Sequence, residues 1–161
     1  MNFACNASPV IALAKIDHLH LLERIGSQVQ VPETVFHELL AKPGMETDRI
    51  LAAARSFLHV VSTPPPIPAA VAAAIRPLDP GEAVVIALAI SAGAVALLDD
   101  AAGRRVARAL DIPCMGFAGL LLTAKQRGHI ELVVPLLLQA RSAGYWLSDD
   151  LIETARKLAS E

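Results

Sequence analysis

Aromatic residues are scarce in this chain, at 4% of 161 positions, so an aromatic-rich β sandwich is not the expected architecture. The hydrophobic share is nevertheless 54%, which leaves Ala, Leu, Val and Ile to fill a core and favours helices packed on a sheet. Charge is thin as well. Asp, Glu, Lys and Arg make up 19%, low enough to imply that some apolar surface is covered by a partner, in the simplest case a second copy. There is no excess of positive charge either. A net charge of −2 argues against gripping nucleic acid by bulk charge alone, so a nuclease of this composition would need divalent cations where the phosphate sits. The two cysteines, Cys5 and Cys114, are far apart in apolar surroundings and read as reduced core residues of a reducing compartment, the cytoplasm.

Long hydrophobic runs are also missing. The longest uncharged apolar stretch, Ala83–Leu98, is broken by Ser91 and Gly93 and falls short of the roughly 20 residues a spanning helix needs. The N-terminus has no basic n-region, and Asn6, Ser8 and Pro9 interrupt any export-type apolar core. His18, His20, His37, His59 and His129 show no zinc-type spacing with cysteine, and no nucleophile elbow, P-loop or dinucleotide glycine pattern occurs.

What the chain does contain is an alternation of short apolar runs and helical spacing, expected to form one domain over 1–161. Strands are predicted at 2–6, 29–31, 58–61, 95–98 and 112–115. Helices are predicted at 10–25 with a break at Asp17, from Pro32 through Glu38, at 45–56, 69–75 and 82–91, after Gly116 to about 126, and at 130–143 and 148–159. A basic helix with Arg104, Arg105 and Arg108 follows the strand at 95–98. Ser8 and Asp79 sit where helix caps are expected, and Thr63–Pro68 reads as a proline-rich connecting loop. Strands alternating with helices imply parallel pairing, hence an α/β three-layer α/β/α sandwich with a short, mainly parallel sheet.

Ligands of such sheets bind at the carboxyl ends of the strands. Asn6 follows the first strand there, and Asp99–Asp100 follow the strand at 95–98. Glu38 and Glu82 lie inside apolar helical stretches, where a carboxylate is partly desolvated unless it meets a cation. Converging, these groups would form an oxygen-rich pocket suited to Mg²⁺ or Mn²⁺. Each acid also has an ordinary structural role: Glu82 in the first turn of a helix, Asp99 or Asp100 as a cap, Glu38 in solvent beside His37. Tyr145 and Trp146 are able to stack a base, but packing of the C-terminal segment is the favoured role.

Several ordered pieces carry a resemblance. They are Asn6-Ala-Ser-Pro-Val-Ile-Ala-Leu-Ala-Lys-Ile16, Val31-Pro-Glu-Thr-Val-Phe-His-Glu38, Gly81-Glu-Ala-Val-Val-Ile-Ala-Leu-Ala89, Leu97-Leu-Asp-Asp100 with Arg104-Arg-Val-Ala107, and Gly119-Leu-Leu-Leu-Thr-Ala-Lys125. The set resembles the PIN-domain family, more narrowly its DUF3368 branch, which is similar to the VapC-like toxins. The resemblance implies Mg²⁺- or Mn²⁺-dependent hydrolysis of RNA, pairing with a cognate antitoxin, and a homodimer. It places the family's acidic positions on Asn6, Glu38, Glu82, and Asp99 or Asp100, with Ser8 as the small hydroxyl residue after the first. Arg104, Arg105 and Arg108, with Lys125 and Arg127, become candidate contacts to the RNA backbone. Two departures stand out. Asn6 offers a neutral carbonyl oxygen where the family carries a carboxylate, and Phe117 replaces a small hydroxyl residue. A non-catalytic RNA- or protein-binding module with a weakened metal site is the alternative, and a purely structural subunit the third.

Overall fold

A computed structural model describes residues 1–63 and 66–161. Five strands form one parallel sheet: β1 (Asn2–Cys5), β2 (Gln28–Pro32), β3 (Leu58–Val61), β4 (Val95–Leu97) and β5 (Cys114–Met115). Their order is β3-β2-β1-β4-β5. The chain therefore steps outward from β1 to β3 and then returns to the opposite side of β1 for β4 and β5. The reversal falls between β1 and β4, which are paired Phe3↔Val95, Ala4↔Ala96 and Cys5↔Leu97. At such a switch point the connections leave in opposite directions and open a crevice above the strand ends.

The connecting helices are α1 (Ala7–Lys15), α2 (His20–Ile25), α3 (Glu33–Ala41), α4 (Met45–Ala54), α5 (Ala69–Ile75), α6 (Pro80–Ala92), α7 (Ala101–Ala109), α8 (Phe117–Gln126), α9 (Val134–Ser142) and α10 (Asp149–Ala159). Helix α6 packs on β1, β2 and β4, with α5 and α7 beside it, while α1 packs among α3, α4, α8 and α9. The result is the α/β/α sandwich expected from the alternation. Residues Val85–Ala89 are buried in succession, which explains why α6 is apolar on every side. Phe3, Leu13, Leu22, Leu97, Phe117 and Leu120 are among the largest fully buried side chains, and Cys5 lies fully buried with them. Burial raises the Cys5 thiol pKa strongly, so it stays a neutral core group.

Three expectations need adjustment. Ser8 is not a cap: Asn6 occupies the N-cap position with extended dihedrals, because its N–H still bonds Leu97 O at 3.0 Å as the last rung beside β4. Ser8 is exposed in the first turn. The break near Asp17 is complete, with Asp17 at φ 60 and Arg49 Nη1 donating to Ala14 O at 2.6 Å. Helix α9 begins at Val134 rather than at 130, since its first amides are capped by Glu161, whose oxygens accept from Val133 N at 2.6 Å and Val134 N at 2.9 Å. Of the expected Thr63–Pro68 loop, Pro64 and Pro65 lie outside the described residues, and 66–68 carry no regular structure.

Candidate metal centre

Each candidate side chain owes its place to the end of a strand or the start of a helix. Asn6 follows β1 and Asp99–Asp100 follow β4, so both stand on the rim of the switch-point crevice. Glu38 comes from the second half of α3, and Glu82 from the first turn of α6. Gly81 shows how the first of these meet. A Cβ added there would lie 2.9 Å from Glu38 Oε1 and 3.4 Å from Asn6 Oδ1, so both oxygens close on a position that only a hydrogen fills. Gly103 lies against Glu82 in ordinary contact, where a Cβ would stand 3.7 Å from Glu82 Oε2.

Glu82 is the buried acid of the set, at 7% exposure, whereas Glu38 and Asp100 are exposed and Asp99 is intermediate. Glu38 was expected to be partly desolvated. It reaches solvent because α3 covers the sheet with Val35 and Leu39, which leaves His37 and Glu38 facing out. Burial raises the Glu82 pKa, and the charges of Asp100, Asp79 and Glu38 push in the same direction; a backbone hydrogen bond at Asp79 opposes them in part. Among the described residues no cation stands within ion-pair distance of Glu82. Among the described residues the ion pairs join Arg49 to Asp17, Lys125 to Glu161, Arg141 to Asp149 and Arg156 to Glu153, and none uses an acid of the crevice.

Asp99 and Asp100 differ in what holds them. Asp100 is the acid that acts on Glu82, and its Oδ2 caps α7 by accepting from Ala102 N at 2.7 Å and Gly103 N at 3.0 Å. Asp99 is committed elsewhere. Its Oδ1 accepts from Phe117 N at 2.8 Å, and its Oδ2 accepts from the Tyr145 hydroxyl. Tyr145 in turn stands edge-on to Phe117, with ring centroids 5.4 Å apart. Burial, then the Asp99 charge and hydrogen bond, hold the Tyr145 hydroxyl protonated far above its ordinary range. Phe117 thus fills a fully buried place and serves Asp99 through its backbone alone.

The arginines divide as well. Arg105 and Arg108 are exposed on α7, whereas Arg104 turns inward: its Nη1 lies 3.1 Å from where a Gly116 Cβ would stand, beside Asp99 Oδ1 at 2.6 Å from the same point, and its Nε is buried without a partner. Lys125 is held by Ala159 O and Glu161, and Arg127 Nη1 donates to Ile25 O, so both serve the fold. Asp79 holds the expected N-cap position of α6, though without a side-chain hydrogen bond, while the closeness of Gly81 and Gly103 to the acids and the bond from Tyr145 to Asp99 are additions of the structure. Gly81 beside an acid in a helix's first turn is a readable signal. Tyr145 lies 46 residues from Asp99 and leaves no local one.

Among the described residues, no three His, Cys, Asp or Glu side chains stand close enough to hold an ion as they are. The donor set nevertheless fits a hard divalent cation. It is all oxygen, it has no imidazole or thiolate, and it includes a buried carboxylate whose neighbours repel its charge.

A profile of DUF3368, described as a PIN domain, matches residues 2–161. No curated protein and no solved structure matches the chain.

Proposed function

The chain belongs to the DUF3368 family of PIN domains, and from that premise we propose that it is a divalent-metal-dependent ribonuclease. The observation that carries the proposal is Glu82: a buried carboxylate at the sheet's switch point, crowded by Asp100, Asp79 and Glu38 and, among the described residues, in no ion pair. Such a site gains most from a bound ion. Glu38, Glu82 and Asp100, with the carbonyl oxygen of Asn6, are the residues that would hold Mg²⁺ or Mn²⁺. When bound, the ion supplies compensating charge for the phosphodiester and lowers the pKa of the attacking water.

The remaining work belongs to the chain. Asp100 is aimed by the α7 amides it caps, and Asp99, fixed between Phe117 N and Tyr145, holds the turn after β4. Arg105 and Arg108, exposed on α7, meet the strand's phosphates, and Ser8 lies exposed beside the crevice in the first turn of α1. In a cell this activity suits the toxin half of a type II toxin–antitoxin pair. Leu132, Leu138 and Leu158, exposed by 51, 40 and 67%, offer apolar area for an antitoxin or a second copy.

The test is cleavage of an unstructured RNA with Mg²⁺ or Mn²⁺ against EDTA. Wild type is expected to cut, and Glu82→Gln to cut at least about 100-fold more slowly. A folded wild type that leaves RNA intact with both ions sinks the proposal. Asn6 favours a second reading, a PIN fold that binds RNA or protein without cutting, because it removes one ligand charge. Calorimetric titration with Mn²⁺ separates the two: micromolar binding supports the nuclease, and binding weaker than millimolar supports the second reading.

A further inference from the structure

The segment between α9 and α10 is anchored on both sides of one exposed indole. Lys15 Nζ donates to Ala143 O at 3.0 Å, and Gly144 turns the chain at φ 95. Tyr145 is then tied to Asp99 by its hydroxyl and to Phe117 by its ring, and Leu147 is buried at 8% exposure. Between these anchors Trp146 is 84% exposed. Of the two aromatics expected to pack the C-terminal segment, Tyr145 does and Trp146 does not. A scattered apolar side chain on a surface needs no account, but this one is the largest side chain type, held out by fixed neighbours on both sides.

Its location is informative. Tyr145 is bonded to Asp99, the residue before Asp100, so the segment that carries the indole is tied to the turn after β4. The Lys15 ammonium shares the turn, 3.7 Å from where a Gly144 Cβ would stand. An exposed aromatic ring two residues from a turn that holds one cation matches a single strand, with an unpaired base on the ring and its backbone on the ammonium. A duplex hides its base faces in its own stack and cannot use the ring.

We infer that Trp146 is a stacking platform for an unpaired base, with Lys15 taking the backbone of the same single strand. The inference rests on the nuclease reading for its substrate class, RNA, but its test runs in EDTA and needs no cleavage. Trp146 is the one tryptophan of the chain, so intrinsic fluorescence reports on it alone. Titration of the full chain with a 12-nucleotide unstructured RNA is expected to quench that emission saturably, and the same RNA annealed to its complement to quench it far less. By anisotropy of a labelled strand, Trp146→Ala should weaken binding about 5- to 100-fold. Trp146→Phe should recover most of the loss, and Lys15→Gln should lower the salt slope by about one.

Equal quenching by single strand and duplex, no quenching by either, or Trp146→Ala binding as tightly as wild type overturns the inference. So does a blue-shifted emission of the free protein that reddens on dilution, which means a second copy covers the ring. Quenching without cleavage in Mn²⁺ upholds the platform and removes the nuclease; cleavage with no effect of Trp146→Ala does the reverse.

Discussion

Glu82 is ionisable, buried and surrounded by its own sign, so its charge works against folding when no cation is present. Its folded pKa is raised above the ordinary 4.5. Below that value both folded and unfolded chains hold the proton and nothing is lost. As pH rises past it the unfolded chain ionises first, and stability falls until the folded carboxyl has ionised too. Glu82→Gln is therefore expected to melt a few degrees higher than wild type at pH 8 in EDTA, with the gap closing below about pH 4.5. A Gln variant that melts lower at pH 8 would show that Glu82 is compensated after all. The two aspartates separate in the same kind of experiment. Asp100→Asn keeps a side-chain oxygen for the α7 amides and should fold normally while losing metal binding and cleavage. Asp99→Asn weakens two hydrogen bonds of a part-buried group and should cost about 1–3 kcal/mol by denaturant titration. The reverse pattern would put Asp99, not Asp100, in the crevice. The pair is legible in the sequence but its two environments are not, because the partners of Asp99, Tyr145 and Phe117, come from distant parts of the chain.

At the level of elements, the outer helices were readable where their signals are local. Ser148 caps α10 by accepting from Leu151 N at 3.1 Å, and Gly93 ends α6 at φ 58, both as their residue types foretell. Helix α9 was misplaced because its cap is Glu161, 27 residues away from Val134. Burial alone would raise the Glu161 pKa, but hydrogen bonds from Lys125 Nζ, Val133 N and Val134 N, with the Lys125 charge, bring it down to about 2. A lowered acid stabilises the fold above its unfolded value and loses that contribution as pH falls toward the folded one. The clasp of α8, α9 and α10 should thus weaken between about pH 4.5 and 2, and Glu161→Gln should flatten that part of the stability curve. An unchanged acid slope in the variant would mean that other carboxylates set it. Gly81 belongs to the same scale. Gly81→Ala suits the first turn of α6 and should leave stability level or up to about 1 kcal/mol higher. The added methyl nevertheless meets Glu38 Oε1 at 2.9 Å, so Mn²⁺ affinity should fall; unaltered affinity would place Glu38 outside the metal's reach.

Across the whole molecule, the sheet and its layers were legible because the alternation of short apolar strands with helical spacing leaves parallel pairing as the economical solution. The strand order was not. It depends on β4 returning to the far side of β1, and that return sets Asn6 and Asp100, distant in sequence, after neighbouring strands of the sheet. An ion bound there would tie β1, α3, α6 and the turn after β4 together, so its affinity should appear as stability of the entire fold. Asn6 sets how large that effect is. Asn6→Asp adds a fourth charge beside Glu38, which should lower the melting temperature in EDTA and raise Mn²⁺ affinity about 10-fold or more. The two changes have opposite signs, and a general change in stability cannot imitate them. At saturating Mn²⁺ the variant should therefore gain more degrees than wild type, from a lower start. If the gain with Mn²⁺ is the same in both proteins, the residue-6 side chain is not a ligand, and the ion, if bound, is held by α3, α6 and the β4 turn alone.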